Sequence, residues 1–158
     1  MPPVAIPNIQ ALKNYVGKSL GFSEWHLVDQ DQIQAFAEVT GDFQWIHVDT
    51  ERASRESPFN GKTVAHGHLT LSLAPVLLPE IVVVENTSMV VNYGVEKARF
   101  PSPVKAGDRV RMEAELKNVR VIRGGAARAC YKLTIRSENA TKPACNAEVI
   151  YIYYPAAK

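Results

Sequence analysis

The segment Leu69–Leu78 is the part of this chain that most limits its fold. Its apolar side chains fall at helical spacing on every face: Leu69, Leu71, Leu73, Ala74, Val76, Leu77 and Leu78. A helix that is apolar all round is buried on all sides. Pro75 lacks a backbone donor and is expected to kink this helix, and Pro79 is expected to end it. The rest of the chain must therefore pack against one buried helix.

From Ser88 onward the apolar spacing changes to two, the period of half-buried strands. The alternating sets are Met89-Val91-Tyr93, Val110-Met112-Ala114-Leu116 and Tyr131-Leu133-Ile135. The segment Ala147–Tyr154 is apolar at nearly every position, which is typical of a central strand. Gly94 indicates a bulge, the phase slips after Leu116, and Arg123-Gly124-Gly125 indicates a hairpin turn. The pattern predicts an α+β fold in which a buried helix packs on one face of an antiparallel sheet.

Shorter signals precede the central helix. Residues Asn8–Val16 indicate a weak helix, and Gly21–Val28 indicates a first strand. A clearer helix follows: Asp29 is placed as its N-cap, with Gln32 three residues later as in a capping box. Gly41 is placed to end this helix in the left-handed conformation. The chain that leaves the helix at Gly41 carries the polar residues of greatest interest.

Length and composition exclude several classes of protein. With 158 residues, 46% of them hydrophobic and 22% charged, the chain fits one globular domain, which we expect over residues 1–158. The net charge of +2 is too small to indicate a nucleic acid or a membrane surface as partner. Cys130 and Cys145 form neither a disulfide framework nor a zinc motif, so we expect two buried, reduced thiols. We expect no signal peptide before Pro7, no membrane span, and a cytoplasmic location.

Two protic side chains, Asp42 and His47, lie in the loop after the capped helix. That loop reads TGDFQWIHVD, and its last residue, Asp49, is expected to cap a short helix over Thr50–Arg55. A second loop, TVAHGHL, leads into the buried helix and places Gly67 near its N-terminus. A carboxylate and an imidazole that hold one water can take a proton and deliver another. A backbone N–H at a helix N-terminus can stabilise an oxyanion, and glycine lets a ligand come close to the backbone.

These loops resemble the hydratase motif of the MaoC-like family. The residues that carry the resemblance are Gly41-Asp42 with His47, and Ala65-His66-Gly67 opening a buried helix. A later run, YGVEKARFPSPV from Tyr93 to Val104, closed by Gly107-Asp108, is similar to the same family and most of all to its NodN-like branch. The similarity extends from Phe36 to the last strand. It implies a hot-dog fold, in which an antiparallel sheet wraps around the central buried helix. It also implies a homodimer and (R)-specific hydration of a trans-2-enoyl-CoA to the (R)-3-hydroxyacyl-CoA in fatty acid metabolism.

The resemblance also implies roles for single residues. Asp42 and His47 would form the catalytic dyad, and the N–H of Gly67 would be the oxyanion donor. Which member of the dyad takes the proton from water stays open. The common family pattern has Asn-Pro where this chain has Gln44 and Trp45, which points to a difference in substrate shape.

Several further residues are candidates for supporting roles. His66 is either a second base or, in the interpretation we favour, a partly buried histidine that holds the Gly67 loop. Family members often carry a serine along the helix near the site, and Ser72 is the candidate. Tyr93, with Asn92 beside it, is expected at the acyl tunnel or the dimer contact. Two cations in the family-like segment, Arg99 and Lys105, are candidates for the phosphates of CoA or else ordinary surface charges.

Two other functions remain open on the same fold. An acyl-CoA thioesterase would also need a carboxylate and a positioned water, but hot-dog thioesterases usually place their acid on the central helix, and Leu69–Leu78 contains none. A non-catalytic thioester-binding subunit would typically lack the dyad that this chain retains. Hydration needs only proton transfers, so we expect neither a metal nor a cofactor, with CoA present only as part of the substrate. Acyl chain length and the carrier, CoA or acyl carrier protein, are not readable from the sequence.

Overall fold

The computed structural model describes residues 2–157, so Met1 and Lys158 lie outside it. Within that range the strands are β1 (Val4–Ile6), β2 (Ser19–Phe22), β3 (His26–Val28), β4 (Val82–Val84), β5 (Thr87–Arg99), β6 (Asp108–Val121), β7 (Ala127–Ser137) and β8 (Cys145–Pro155). The helices are α1 (Gln30–Thr40), α2 (Trp45–Val48), α3 (Thr50–Glu56), α4 (Gly67–Ser72) and α5 (Ala74–Ile81), with 3₁₀ turns at Ile9–Tyr15 and Arg123–Gly125. No helix in the described range is long and apolar enough to cross a membrane.

The main sheet has six antiparallel strands in the order β2-β6-β7-β8-β5, with β3 following β2 along the edge of β6. The strand expected over Gly21–Val28 is instead divided between β2 and β3. Between them, the Ser23 N–H donates to the Met112 carbonyl, and the Ser23 hydroxyl accepts the Met112 N–H at 2.9 Å. At this point the Ser23 side chain takes the place of a backbone acceptor in the pairing with β6. A separate parallel pair, β1 with β4, was not predicted, because three-residue strands carry no periodic signal.

The strand pattern of the second half is confirmed. The pairing of β5 with β8 shifts between Asn92 and Gly94, where the bulge was expected. The pairing of β6 with β7 shifts just after Leu116, where the apolar phase slips. The turn between β6 and β7 contains Gly124 and Gly125 at positive φ, and β8 lies inside the sheet between β7 and β5.

The central helix is confirmed in place but corrected in form. It is two helices, α4 and α5, broken at Leu73, and Pro75 lies in the first turn of α5, where its missing N–H removes no helical bond. The prediction that Pro79 ends the helix was wrong, because α5 continues to Ile81 and closes with the Val82 N–H on the Leu78 carbonyl. Val76 is 58% exposed rather than buried, so the helix pair has one open face.

The core fills the space between the helix pair and the concave face of the sheet. Its largest fully buried side chains include Ile6, Leu12, Ile33, Leu77, Ile81, Met112, Leu116, Tyr131, Leu133 and Ile135. Cys130 and Cys145 are buried and free, as expected, and burial raises the pKa of the Cys145 thiol to about 11. The sheet therefore holds the start of α4 against the loop that follows α1, and this junction brings the candidate residues together.

Candidate active site

The position of Asp42 is fixed by the way helix α1 ends. Asp29 caps the helix start by accepting the Gln32 N–H at 2.9 Å, while the Gln32 side chain contacts His26 instead of completing the capping box. At the other end Gly41 adopts φ 79°, a left-handed conformation that favours glycine. The reversal presents Asp42 directly beyond the helix, with its side chain 54% exposed.

His47 is held in one orientation by backbone contacts. It lies in the short helix α2 and is 7% exposed. Its Nδ1 lies 2.6 Å from the Val64 carbonyl oxygen, which can only accept, so Nδ1 carries the proton and the neutral ring presents Nε2 as an acceptor. Gln30 donates to the His47 carbonyl at 2.8 Å and accepts from the Thr63 hydroxyl, which ties α1, α2 and the second loop together.

The electrostatic surroundings keep the His47 ring neutral. Burial is the largest influence and lowers the pKa of His47 from its ordinary value of 6.5. The hydrogen bond to Val64 raises this pKa, the nearby His66 ring lowers it, and the Asp42 carboxylate raises it, each by less than burial. The result is a buried imidazole that is a base at neutral pH.

The ring of His66 stacks on the ring of His47. The two ring centroids are 3.8 Å apart at an interplanar angle of 24°. Nε2 of His66 donates to the backbone carbonyl of Asp42 at 3.0 Å, while the Asp42 carboxylate lies 3.9 Å away. His66 is 4% exposed, and its Nδ1 has no hydrogen-bond partner among residues 2–157. These contacts are those expected of a histidine that holds the loop.

Gly67 is the first residue of α4. The first bond of this helix joins the Thr70 N–H to the His66 carbonyl, so the Gly67 N–H is not used within the helix. A Cβ built on Gly67 would lie 2.8 Å from Cδ2 of Phe100. Glycine avoids this contact with the Phe100 ring, and its φ is not in the left-handed region.

The three polar side chains form one cluster. Ligand atoms of Asp42, His47 and His66 all lie within 4.8 Å of one another, a spacing that a metal ion could also use. One nitrogen of each histidine donates to a backbone carbonyl, which leaves the other ring nitrogen of each free to bind a proton or a ligand.

A second cluster, of Glu96, Cys130 and Glu148, lies on the other face of the sheet. Lys117 bonds to Glu148 at 2.7 Å and Arg128 bonds to Glu96 at 2.8 Å. The carboxylates are thus neutralised by side chains, and burial raises the pKa of the Cys130 thiol. This cluster is an ion-pair network.

The other predicted residues are spread over the molecule. The Ser72 hydroxyl donates to the His68 carbonyl at 2.7 Å, on the helix beyond Gly67. The Gln44 N–H donates to the Asp42 carboxylate at 3.3 Å. Tyr93 is 62% exposed on β5, and Arg99 donates to the Ala98 carbonyl at the end of that strand. Lys105 pairs through its backbone with Val64 and lines a polar cavity of about 200 Å³.

Three parts of the site were not predicted from the sequence. They are the Gln30 contact to His47, the Val64 carbonyl that orients the ring, and Phe100 against Gly67. The first two are contacts between segments at least 17 residues apart, for which the sequence gives no local signal. Phe100 lies in the family-like run, but nothing in its spacing indicates which backbone it covers.

Comparisons with known proteins identify the family of this chain. The family profile described as MaoC like domain matches residues 11–136. The chain belongs to the MaoC-like dehydratase family. The 3-hydroxyacyl-thioester dehydratase Z of Mycobacterium tuberculosis is 43% identical over 137 residues, which cover 87% of this chain and 89% of that protein. Nodulation protein N of Rhizobium meliloti is 39% identical over 156 residues, which cover 96% of this chain and 92% of that protein.

The fold of this family member also matches solved structures. The R-hydratase PhaJ1 from Pseudomonas aeruginosa superposes with a TM-score of 0.65 over 90% of this chain and 83% of that chain, at 23% identity. The predicted hot-dog fold and the predicted NodN-like relationship are therefore confirmed. By its family and its 43% identity to the dehydratase, the protein is a lyase of the hydratase and dehydratase class.

Proposed function

We propose that this MaoC-like protein catalyses the reversible (R)-specific hydration of trans-2-enoyl-CoA, with Asp42 and His47 as the catalytic dyad. The observation that carries the proposal is the orientation of His47. Its Nδ1 is bound to the Val64 carbonyl, which leaves a neutral Nε2 as an acceptor in the cluster that His47 forms with Asp42 and His66, and Gly67 begins helix α4 directly after His66. The names of the M. tuberculosis relative and of the R-hydratase support the thioester substrate and the stereochemistry.

The proposed reaction needs one water and no cofactor. The water, held between Asp42 and His47, attacks the β-carbon while Nε2 of His47 takes its proton. The electrons of the double bond move to the thioester oxygen, and the Gly67 N–H stabilises the enolate. The imidazolium then returns a proton to the α-carbon, and the Asp42 carboxylate stabilises its positive charge in between. Dehydration follows the same steps in reverse.

The supporting residues take roles consistent with their contacts. His66 is a positioning residue, because it binds the Asp42 carbonyl and packs against His47. Gln44 restrains the Asp42 carboxylate through its N–H, and Ser72 lies along the path of the acyl chain. We assign the phosphates of CoA to Arg99, the last residue of β5, and to Lys105, between β5 and β6, because both cations are near in the chain to Phe100, whose ring lies against Gly67. The two buried free thiols favour a reducing compartment, and we propose the cytoplasm.

The experiment that tests the proposal follows the enoyl-thioester absorbance with crotonyl-CoA and a longer 2-enoyl-CoA, with chiral analysis of the product. We expect loss of absorbance and an (R)-3-hydroxyacyl-CoA. Release of free thiol without loss of the enoyl group would instead establish a thioesterase. Binding without turnover, on both CoA and acyl-carrier substrates, would indicate a non-catalytic subunit.

The acid side of the pH profile is the second test. Because burial lowers the pKa of His47, the neutral base is lost only when the pH falls below its ordinary value of 6.5. We therefore expect kcat/KM for hydration to be level at neutral pH and to decline with an apparent pKa under 6.5. Replacing the remote His26 with asparagine should leave this profile unchanged. A decline centred above 6.5 would contradict His47 as the base.

We also propose that the protein is a homodimer through β5. This strand has 13 residues, lies at the sheet edge, and in the described part of the chain pairs on one side only. It exposes Met89, Val90, Tyr93 and Val95, each by 46% or more of its surface. A long apolar edge strand invites pairing with another chain, and a second copy joined by a two-fold axis can cover it.

Sedimentation at micromolar concentration tests the dimer. We expect twice the chain mass of 17.5 kDa, which is 35 kDa. Tyr93→Lys should raise the monomer fraction, because it places a charge on the proposed contact. Val121→Lys is the matched control, since Val121 is equally exposed, at 64%, but lies at the far end of β6. A monomeric wild type, or equal dissociation of both variants, would exclude this interface.

A further inference from the structure

Two adjacent apolar cavities, together called the trough, lie between the helix pair and the strands β5 and β8. The larger cavity has a volume of about 320 Å³ and lies against α5 and β4, and the smaller has about 120 Å³ and lies against α4. Both are lined by Pro75, Asn92 and Tyr151, which therefore form the boundary between them. The walls on either side are aliphatic, including Leu71 and Val149 in the smaller cavity and Leu78 and Val82 in the larger.

The trough begins close to the reacting centre. Leu71 lies one helical turn beyond Gly67 within α4, or about 6 Å along its axis at the usual helical rise. A chain that leaves a thioester held at Gly67 and follows the helix pair enters the smaller cavity first. It then passes Tyr151 and Asn92 before it reaches the larger cavity.

Tyr151 is the exceptional residue in this trough. It is 4% exposed, yet its hydroxyl has no hydrogen-bond partner among the residues that the structure describes. Its neighbours Tyr131 and Tyr153 bond to each other at 2.8 Å between their hydroxyl oxygens, and Tyr151 only packs edge-on against Tyr131. Burial raises the pKa of Tyr151 to about 12, so its hydroxyl stays protonated and can both donate and accept. A buried polar group without a partner is costly unless something else binds it.

We propose that Tyr151, with the Asn92 amide on the facing strand, binds an oxygen atom on the acyl chain, so that the preferred substrate is an enoyl thioester bearing a hydroxyl or carbonyl group beyond the reacting double bond. The inference rests on the proposed hydration of an enoyl thioester and adds the class of acyl chain. An unsubstituted chain leaves the Tyr151 hydroxyl unpaired in an apolar wall, whereas an oxygenated chain completes its hydrogen bond. Discrimination by an unpaired polar group in a binding pocket is generally stronger than discrimination by size alone.

The test compares a plain 2-enoyl-CoA with chains of the same length that carry one hydroxyl group at successive carbons. For the wild type we expect kcat/KM to be about tenfold higher at one hydroxyl position than for the plain chain, the value of one neutral hydrogen bond. Tyr151→Phe should abolish this preference and raise kcat/KM for the plain chain. The change should lie mainly in KM, since the contact is made equally in the bound substrate and the transition state.

Tyr131→Phe is the matched control, because it removes a hydroxyl from the same tyrosine cluster without lining either cavity. It should lower the melting temperature and retain the preference for the oxygenated chain. Equal ratios of oxygenated to plain turnover in the wild type and Tyr151→Phe would overturn the inference while leaving hydration intact. If no enoyl thioester is turned over, the proposed function fails. The role of Tyr151 can then still be decided by equilibrium binding, in which the affinities of a saturated hydroxyacyl-CoA and of the unsubstituted acyl-CoA are compared for the wild type and for Tyr151→Phe.

Discussion

Replacing His47 with alanine lowers kcat/KM for enoyl-CoA hydration by about 10³-fold, and replacing Asp42 with asparagine lowers it by about 10²- to 10³-fold. The expectation for His47 follows from its free, neutral Nε2, which alanine removes. Asp42→Asn keeps the shape of the side chain but loses the charge that steadies the imidazolium. Steady-state kinetics on crotonyl-CoA, with circular dichroism and melting curves for each variant, provide the measurement.

The His47 variants must distinguish loss of the catalytic base from loss of folding stability. His47→Ala leaves the Val64 carbonyl without its donor inside a buried site, which can lower stability by about 1–3 kcal/mol. His47→Asn supplies an amide N–H for that carbonyl but no base, so it should fold better and be as inactive. His26→Ala is the control for removing an imidazole elsewhere. Activity within tenfold of the wild type in His47→Asn would exclude His47 as the base.

The double variant distinguishes a dyad from two independent contacts. Groups that act on one water in one step lose their effects non-additively. We therefore expect Asp42→Asn combined with His47→Ala to be no slower than His47→Ala alone by more than about tenfold. A product of the two single effects would mean that Asp42 acts on the substrate separately from His47.

The contacts around the helix pair also bear on the thioesterase alternative. Glu80 is the one acid that the described helices α4 and α5 carry, and its carboxylate accepts the Glu24 N–H at 3.0 Å on an exposed surface. It lies near the end of α5, away from the start of α4 where the dyad is. The central helix therefore offers no carboxylate to a water at Gly67, in agreement with the expectation from its sequence.

Features with a local cause were predicted well. Asp29 and Asp49 cap their helices, and Gly41 reverses the chain, because each depends on residues within one turn. The bulge at Gly94 was also predictable, since a break in apolar alternation is a direct record of strand geometry. The placement of Asp42 and His47 directly after the capped helix came from these signals together with the family motif, whereas the short helix α2 that contains His47 was expected to be a loop.

Features that depend on distant contacts were not predicted. The separation of α4 from α5 at Leu73 and the continuation through Pro79 depend on packing against the sheet, which outweighs local helix preference. The stack of His47 on His66 joins two loops whose spacing in the chain says nothing about ring orientation. The exposure of Val76 also depends on distant contacts. Its helix face is apolar and was predicted to be buried, but the sheet covers only the other faces of the helix.

Gly67→Ala is expected to lower kcat by about 10²-fold with a smaller change in KM, the effect of displacing an oxyanion donor. The cause is steric: the new Cβ would lie 2.8 Å from Phe100 Cδ2 and 2.9 Å from Cγ, so the ring or the start of α4 must move. A displacement of about 1 Å in a donor can cost a factor of this size. The residue retains its N–H, so only the position of that group changes.

Phe100→Ala provides the means to identify the cause. If the Phe100 ring displaces the Gly67 N–H, removing the ring makes space for the new Cβ. The double variant Gly67→Ala with Phe100→Ala should then have a kcat within about tenfold of that of Phe100→Ala alone, because the effects of residues in contact are not additive. If the double variant stays as slow as Gly67→Ala, the added methyl group itself obstructs the substrate. In that case glycine would be required for close approach of the thioester, and the Phe100 ring would be only a neighbour of the site.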